Sequence, residues 1–255
     1  MKRRLSENRK RVEQRINNVC HRAQRDPAGV TLVAVTKYAS LDIIRTMVDL
    51  GFTDLGESRV QELSKRAAAI NEWLGRRARD VSAGARPRPR WHMVGHLQRN
   101  KVKAVLPWID MIHSVDSLRL AEEIDAQSAK LGRVMPILLE VNAANDPDKY
   151  GVAVAATTHL AEQVNSLEHI ELRGLMAIAP LTDDESRIRQ VFGRVRELFD
   201  EIVAGRICGP EFKELSLGMT NDFEYGIEAG ATYVRIGTAL LDGIPLSTEP
   251  IPSQN

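Results

Sequence analysis

One lysine stands at an unusual place in this sequence, at the end of a short apolar run. The run Thr31–Lys37 (TLVAVTK) is rich in β-branched residues and predicts a buried strand. A lysine at the end of such a strand can be a structural cation that pairs with a carboxylate such as Glu57. Alternatively, a desolvated lysine amine can attack a carbonyl group and form a Schiff base. The position of Lys37 alone slightly favours the structural role.

Two short motifs late in the sequence combine a glycine with hydroxyl groups. The segment Leu215–Thr220 (LSLGMT) supplies a glycine and two hydroxyls, and Ile236–Thr238 (IGT) repeats glycine plus hydroxyl one unit later. Loops after the last two strands of an α/β barrel commonly bind phosphate through backbone N–H groups. With Lys37 across the mouth of such a barrel, these motifs indicate a ligand that carries both a phosphate and a carbonyl group.

The elements that must position these residues alternate between strands and amphipathic helices. The first helix has an apolar stripe formed by Leu5, Val12, Ile16 and Val19. The predicted strands are Thr31–Lys37, Thr53–Leu55, Trp91–Gly95, Met111–Val115, Met135–Asn142, Leu172–Ile178, Lys213–Gly218 and Tyr233–Thr238. Helices are predicted between successive strands, among them Ser40–Leu50, Ser58–Ile70 and Asp222–Glu228.

This alternation predicts an α/β fold, a single (β/α)₈ TIM barrel with an extra N-terminal helix. A doubly wound open sheet is the alternative. It is disfavoured because no G-x-G-x-x-G motif follows the first strand and because eight strand-helix units suit a closed ring.

The composition fits one domain over residues 1–255, with 43% hydrophobic residues to form a core. A net charge of +1 and the lack of a long apolar run argue against nucleic-acid and membrane partners. Cys20 and Cys208 lack metal-site spacing, which predicts reduced thiols, no metal and a cytoplasmic location. The segment Gly75–Arg90 is predicted to be a mobile surface loop, and residues 244–255 a flexible tail.

Six longer motifs make the sequence resemble a known family, the pyridoxal phosphate (PLP) homeostasis proteins, which share the barrel of the alanine racemase N-terminal domain. The resemblance covers nearly the whole chain. The motifs are AVTKY (Ala34–Tyr38), GESRVQE (Gly56–Glu62), WHMVGHLQRNK (Trp91–Lys101), RGLMAIAP (Arg173–Pro180), LSLGMTND (Leu215–Asp222) and VRIGTALLDG (Val234–Gly243).

The resemblance implies a cofactor, PLP, and a role for each matching residue. Lys37 would hold PLP as a Schiff base, and Arg235 would face its pyridine nitrogen. The phosphate would be held by Ser216, Gly237 and Thr238 and by the backbone near Gly218 and Met219. Val94, Met176 and His96 would form walls near the ring.

Two departures from the family's pattern concern the cofactor site. The family usually has Asn where this chain has Ser58, which puts the contact with the phenolic oxygen of PLP in doubt. The segment Asn142–Gly151 lacks the usual small hydroxylated residues, although Lys149 and Gly151 match.

The resemblance implies a PLP-binding protein of vitamin B6 homeostasis without robust catalysis. An arginine opposite the ring nitrogen leaves that nitrogen neutral, which weakens PLP as an electron sink. Racemisation also needs a second acid/base, and only Ala239–Asn255 follow the last strand. Candidate partners are apo forms of PLP enzymes, and a monomer is expected. Two alternatives stay open, a PLP-dependent amino-acid racemase that uses Tyr38, His92 or His96, and a cofactor-free aldolase that uses Lys37.

Overall fold

The computed structural model describes residues 1–79 and 87–246. Its strands are β1 (Thr31–Val35), β2 (Asp54–Glu57), β3 (Arg90–Met93), β4 (Met111–Val115), β5 (Met135–Asn142), β6 (Val152–Ala153), β7 (Ile170–Ala177), β8 (Glu214–Leu217) and β9 (Tyr233–Ile236). Its α-helices are α1 (Lys2–Arg22), α2 (Leu41–Asp49), α3 (Val60–Ala78), α4 (Val102–Val105), α5 (Leu118–Lys130), α6 (Val154–Asn165), α7 (Glu185–Ala204), α8 (Phe223–Glu228) and α9 (Thr238–Leu241). Short 3₁₀ turns cover Pro27–Gly29, Arg99–Lys101 and Leu106–Trp108.

Eight of these strands close into a parallel barrel. Their order around the ring is β1, β2, β3, β4, β5, β7, β8 and β9, and β9 pairs with β1 again. The two-residue strand β6 adds to the outer end of β5. The predicted TIM barrel is therefore confirmed, and the open doubly wound sheet is excluded because both β4–β5 and β1–β9 are paired.

The extra N-terminal helix is also confirmed. The four predicted stripe residues of α1 are all buried. Asn8, buried on the same face, donates hydrogen bonds to the carbonyl oxygens of Leu240 and Asp242 at 2.9 Å each. These bonds fix helix α1 to the segment that directly follows β9.

Most predicted limits hold to within two residues, and those of β4 and β5 hold fully. Strand β1 stops at Val35, two residues before Lys37. The strand ends there because side chains bond to the next two backbone carbonyl oxygens. Arg66 donates to the carbonyl oxygen of Thr36, and Arg59 donates to that of Lys37. Lys37 consequently lies in a turn at the barrel mouth rather than within the strand.

The predicted end of the third helix was wrong. Helix α3 runs over Val60–Ala78 instead of Ser58–Ile70. Trp73 and Leu74 pack against the core and extend the helix by two turns.

The predicted loop Gly75–Arg90 is accordingly shorter than expected. Its first four residues belong to α3, and its last residue opens β3. Arg88 pairs with Asp110 at 2.7 Å. Residues 80–86, and residues 247–255 of the predicted tail, lie outside the described part of the chain.

Within the described ranges, no helix is long and apolar enough to span a membrane. The same ranges contain no cluster of three potential metal ligands. Cys20 and Cys208 are both free thiols, and burial raises the pKa of Cys208 to about 11.

The inside of the barrel has an apolar layer with polar groups above and below it. The apolar cluster consists of Val33, Met111, Leu138, Met176 and Tyr233. Because alternate residues of each strand point inward, the next inward positions of β5 and β9 are Glu140 and Arg235. These charged side chains lie toward the carboxyl ends of the strands, where barrels carry their functional sites.

Candidate functional site

Lys37 lies in the turn after β1, with its side chain half-buried. The N–H of Thr36 donates to the carbonyl oxygen of Gly56 at 2.8 Å, and Arg59 donates to the carbonyl oxygen of Lys37 at 2.7 Å. The amine nitrogen is 5.0 Å from the ring centre of Tyr38. The turn is thus fixed through its backbone, while the amine remains available at the barrel mouth.

Glu57, the carboxylate considered as a partner for Lys37, is bonded elsewhere. It is fully buried and pairs with Arg66 on α3. It also accepts hydrogen bonds from the backbone N–H of Ser58 at 2.8 Å and from the hydroxyl of Thr36 at 3.4 Å. Among the described residues, no carboxylate lies within 4.0 Å of the Lys37 amine. The structural-cation interpretation of Lys37 therefore loses its partner.

Arg235 is buried in the barrel mouth and is bonded to two neighbouring strands. Its Nη1 donates to the hydroxyl and the carbonyl oxygen of Ser216 at 2.6 and 2.7 Å, and its Nη2 donates to the carbonyl oxygen of Ala177 at 3.0 Å. Within the described ranges, no acceptor bonds to its Nε. Burial lowers the pKa of Arg235 to about 10, while Asp222 and Glu140 oppose the shift, so the guanidinium is charged at neutral pH.

Ser216 lies deeper than the phosphate role implied. Its side chain is fully buried, and its hydroxyl contacts both Arg235 at 2.6 Å and His113 Nδ1 at 2.9 Å. These contacts commit the hydroxyl to the barrel interior. The geometry therefore favours a role in holding Arg235 rather than a phosphate contact.

The loop after β8 is shaped by a glycine. Gly218 has φ +93°, and a methyl group on it would lie 2.4 Å from the Cα of Phe223. The N–H of Met219 donates to the carboxylate of Asp222 at 2.5 Å, so it is already bonded. Met219 itself is exposed.

Thr220 was not among the candidate site residues predicted from the sequence. It forms a polar rim of the barrel mouth together with Gly237 and Thr238. Its hydroxyl accepts a hydrogen bond from the N–H of Ala239 at 3.4 Å, which joins the β8 loop to the start of α9. Gly237 and Thr238 lie at that same start, with Thr238 exposed. The hydroxyl of Thr220 in LSLGMT was the signal for this residue, since it follows the glycine of the motif.

Three further candidate residues, Ser58, Val94 and Met176, lie in or just after β2, β3 and β7. Met176 is part of the apolar cluster, and Val94 packs against that cluster from above. Ser58 lies beside Gly95. A methyl group added to Gly95 would lie only 2.5 Å from the carbonyl oxygen of Ser58.

His96 and Tyr150 form a stacked pair beside the mouth. Their ring centres are 3.7 Å apart with an interplanar angle of 9°. His96 Nδ1 is 3.4 Å from a carboxylate oxygen of Asp116. Lys149 donates to the carbonyl oxygen of Ala179 at 3.1 Å, so it ties the neighbouring loop to the segment after β7.

Glu140 is a site residue that sequence reasoning missed. It is 6% exposed, and burial raises its pKa to about 7, while the charge of Arg235 opposes this rise and that of Asp116 adds to it. The alternation of inward and outward residues in MPILLEVN places Glu140 on the same face as Leu138. That alternation was the available signal.

Comparison with known proteins yields a matching domain family and similar proteins over most of the chain. Residues 8–245 match the family "Alanine racemase, N-terminal domain". The pyridoxal phosphate homeostasis protein of Aquifex aeolicus is 36% identical over 230 residues, which cover 90% of this chain and 94% of that protein.

Two solved structures share the fold over nearly the full chain. An unknown protein from Bifidobacterium adolescentis has 36% identity and a TM-score of 0.84, covering 94% of this chain and 95% of its own. PipY of Synechococcus elongatus, solved with PLP bound, has 32% identity and a TM-score of 0.74, covering 90% of this chain and 99% of its own. By family match, identity and coverage, this chain belongs to the pyridoxal phosphate homeostasis protein family, built on the alanine racemase N-terminal domain.

Proposed function

We propose that this protein binds PLP in the barrel mouth and serves intracellular PLP homeostasis, with the cofactor held as a Schiff base on Lys37. The observation that carries the proposal is the state of Arg235. Its guanidinium is buried and held by three hydrogen bonds, yet its Nε–H has no acceptor among the described residues. An N–H at the barrel mouth that has no protein acceptor can donate to a ligand, and a neutral pyridine nitrogen is a suitable acceptor.

The other end of the site suits a phosphate. Thr220 and Thr238 supply hydroxyls, and Gly237 supplies a backbone N–H without a side chain to obstruct it. Gly218 lets the loop turn tightly beneath them. We assign the phosphate contacts to this rim, with Gly218 and Met219 shaping it and the Ser216 hydroxyl outside it.

The protein's residues then determine what the site does. PLP supplies a reactive aldehyde and an electron-withdrawing ring. Lys37 holds the aldehyde, and Arg235 donates to the ring nitrogen as a cation, which opposes its protonation. Val94 and Met176 exclude water from the apolar side of the ring. Binding and release of cofactor therefore suit this site better than stabilisation of a substrate carbanion.

We also propose a cellular location, an oligomeric state and partners for this protein. The protein acts in the cytoplasm, where its two free thiols stay reduced. It is a monomer that passes PLP to apo forms of PLP enzymes. It takes neither nucleic acid nor a membrane surface as a partner, in keeping with a net charge of +1.

The proposal is tested by comparing PLP with pyridoxal, which lacks the phosphate. Thr238→Val should weaken PLP binding by about tenfold or more, because a hydrogen bond to a charged group contributes about 1.5 to 3 kcal/mol. Pyridoxal binding should change little. Thr158→Val on the outer helix α6 is the matched control. Equal losses for both ligands would remove Thr238 from the phosphate site, and no binding of PLP to the unaltered protein would refute the function.

A further inference from the structure

A line of polar side chains crosses the barrel interior below Arg235. The hydroxyl of Ser216 is 2.9 Å from His113 Nδ1, His113 Nε2 is 2.9 Å from His92 Nδ1, and His92 Nε2 is 2.9 Å from Asp54 Oδ1. These four side chains and that of Arg235 are buried. We call Asp54, His92, His113 and Ser216 the polar column.

The far end of the polar column is an ionised carboxylate. Burial raises the pKa of Asp54, but hydrogen bonds from His92 and Thr53 and the charge of Arg90 outweigh it, and the net shift is downward. Thr53 donates at 2.7 Å, and Arg90 lies 2.7 Å away with its side chain half-exposed. Asp54 is therefore an acceptor only, so His92 Nε2 must be the donor in their bond.

This end fixes the direction of every bond above it. His92 Nδ1 has no hydrogen to give while the ring is neutral, so it accepts from His113 Nε2. His113 Nδ1 then accepts from the Ser216 hydroxyl, and the Ser216 oxygen accepts from Arg235. Burial, together with the charge of Arg235, holds the pKa of His113 well below its usual range, which keeps this ring neutral.

The column is also held from the side. Tyr233 meets the rings of His92 and His113 at centre-to-centre distances of 5.8 and 5.3 Å. The two histidine rings meet edge to face at 5.1 Å. Each ring therefore has little freedom to turn and exchange its two nitrogens.

We propose that the polar column is a positioning relay for Arg235. The hydrogen bonds of the column all run in one direction, from the cation at the mouth to the Asp54 carboxylate at the opposite end. The Ser216 oxygen is thereby kept as an acceptor for Nη1, and the guanidinium is oriented so that its Nε–H meets the ring nitrogen of the cofactor. The inference rests on the proposed function and adds His92, His113 and Asp54 as residues that act on the cofactor through Arg235.

The test separates positioning from general stability by the choice of ligand. Ser216→Ala removes the link next to Arg235 with the loss of one oxygen atom, and Asp54→Asn removes the charge at the far end. Each should weaken PLP binding, by about tenfold for Ser216→Ala. Binding of 1-deazapyridoxal phosphate, in which a C–H replaces the ring nitrogen, should fall by less than about twofold. Ser128→Ala, at a buried serine of α5 whose hydroxyl has no bonding partner, is the control and should leave both ligands unaffected.

A second measurement needs no cofactor. Nitrogen NMR of the unaltered, PLP-free protein should show one ring hydrogen on each of His92 and His113, located on Nε2. A hydrogen on Nδ1 of either ring, or equal losses for PLP and the deaza analogue in Ser216→Ala, would overturn the relay. A protein that shows this NMR pattern and does not bind PLP would refute the proposed function and leave the bonding order of the column intact.

Discussion

The Glu57 carboxylate accepts a hydrogen bond from the Arg66 guanidinium inside the protein, where both side chains are almost completely shielded from solvent. This pair removes the carboxylate that would otherwise neutralise the nearby lysine. It also holds the turn that carries Lys37, because Arg66 bonds to the carbonyl oxygen of Thr36 as well. One ion pair thus fixes the position of the lysine and leaves its amine without a carboxylate partner in the described part of the chain.

The first prediction concerns this pair. Arg66→Ala leaves a buried carboxylate without its cation and should lower the free energy of unfolding by about 3 to 5 kcal/mol, as measured by urea denaturation. Arg76→Ala on the same helix breaks only the exposed pair with Glu72 and should have little effect. Equal effects of the two substitutions would show that the Glu57–Arg66 pair has no special role.

The second prediction concerns pH. Since the pKa of Glu140 is raised from 4.5 to about 7 in the folded protein, the folded state binds the proton more tightly than the unfolded chain. The free energy of unfolding should therefore fall as pH rises from about 4.5 to about 7. Glu140→Gln should raise it at pH 8 by about 2 kcal/mol, with a much smaller effect at pH 5.

Denaturant titrations of the PLP-free protein at both pH values measure this difference. The exposed substitution Glu122→Gln on α5 is the control and should leave the pH dependence unchanged. A Glu140→Gln protein with the same pH dependence as the unaltered protein would show that Glu140 ionises normally.

The third prediction concerns the loop after β8. Gly218→Ala introduces a side chain at φ +93° and a 2.4 Å approach to Phe223, so it should destabilise the protein by about 2 kcal/mol or more. Gly193→Ala, inside α7 with nothing within 4 Å of the added methyl group, should instead stabilise by up to about 1 kcal/mol. Thermal or chemical unfolding of both variants checks the opposite signs.

The fold was largely predictable because the repeated strand and helix pattern is a local property of the sequence. The limits of β4 and β5 hold fully since their apolar runs begin and end sharply. The end of α3 was missed because Trp73 and Leu74 lie among charged residues, and only the structure shows them against the core. A short apolar pair is weak evidence for helix continuation.

The sequence predicts which residues gather at the barrel mouth, but it does not predict how deep each of them lies in the barrel. Lys37 follows β1 and Arg235 lies one residue before the end of β9, so barrel geometry alone brings them to one mouth. The different roles that we propose for Ser216 and Thr220 depend on how deep each residue lies in the barrel, which the motif LSLGMT does not encode. The column from Asp54 to Ser216 joins residues on four strands, and these contacts exist only after the barrel closes.

The fourth prediction concerns catalysis. The PLP-loaded protein should exchange the α-hydrogen of alanine, serine or glutamate in deuterated water no faster than free PLP does. The reason is that Arg235 opposes protonation of the ring nitrogen, which weakens PLP as an electron sink. Inversion of stereochemistry at enzyme-like turnover, lost in Lys37→Ala or on substitution of Tyr38 or His96, would instead establish a racemase.

The central claim is the attachment of PLP to Lys37, and borohydride reduction of the PLP-loaded protein followed by peptide mapping tests it most directly. We expect the pyridoxyl label on the peptide that contains Lys37, and we expect Lys37→Ala to abolish the label while weaker, non-covalent PLP binding persists. A label found mainly on Lys101 or Lys149 of the unaltered protein would contradict the account.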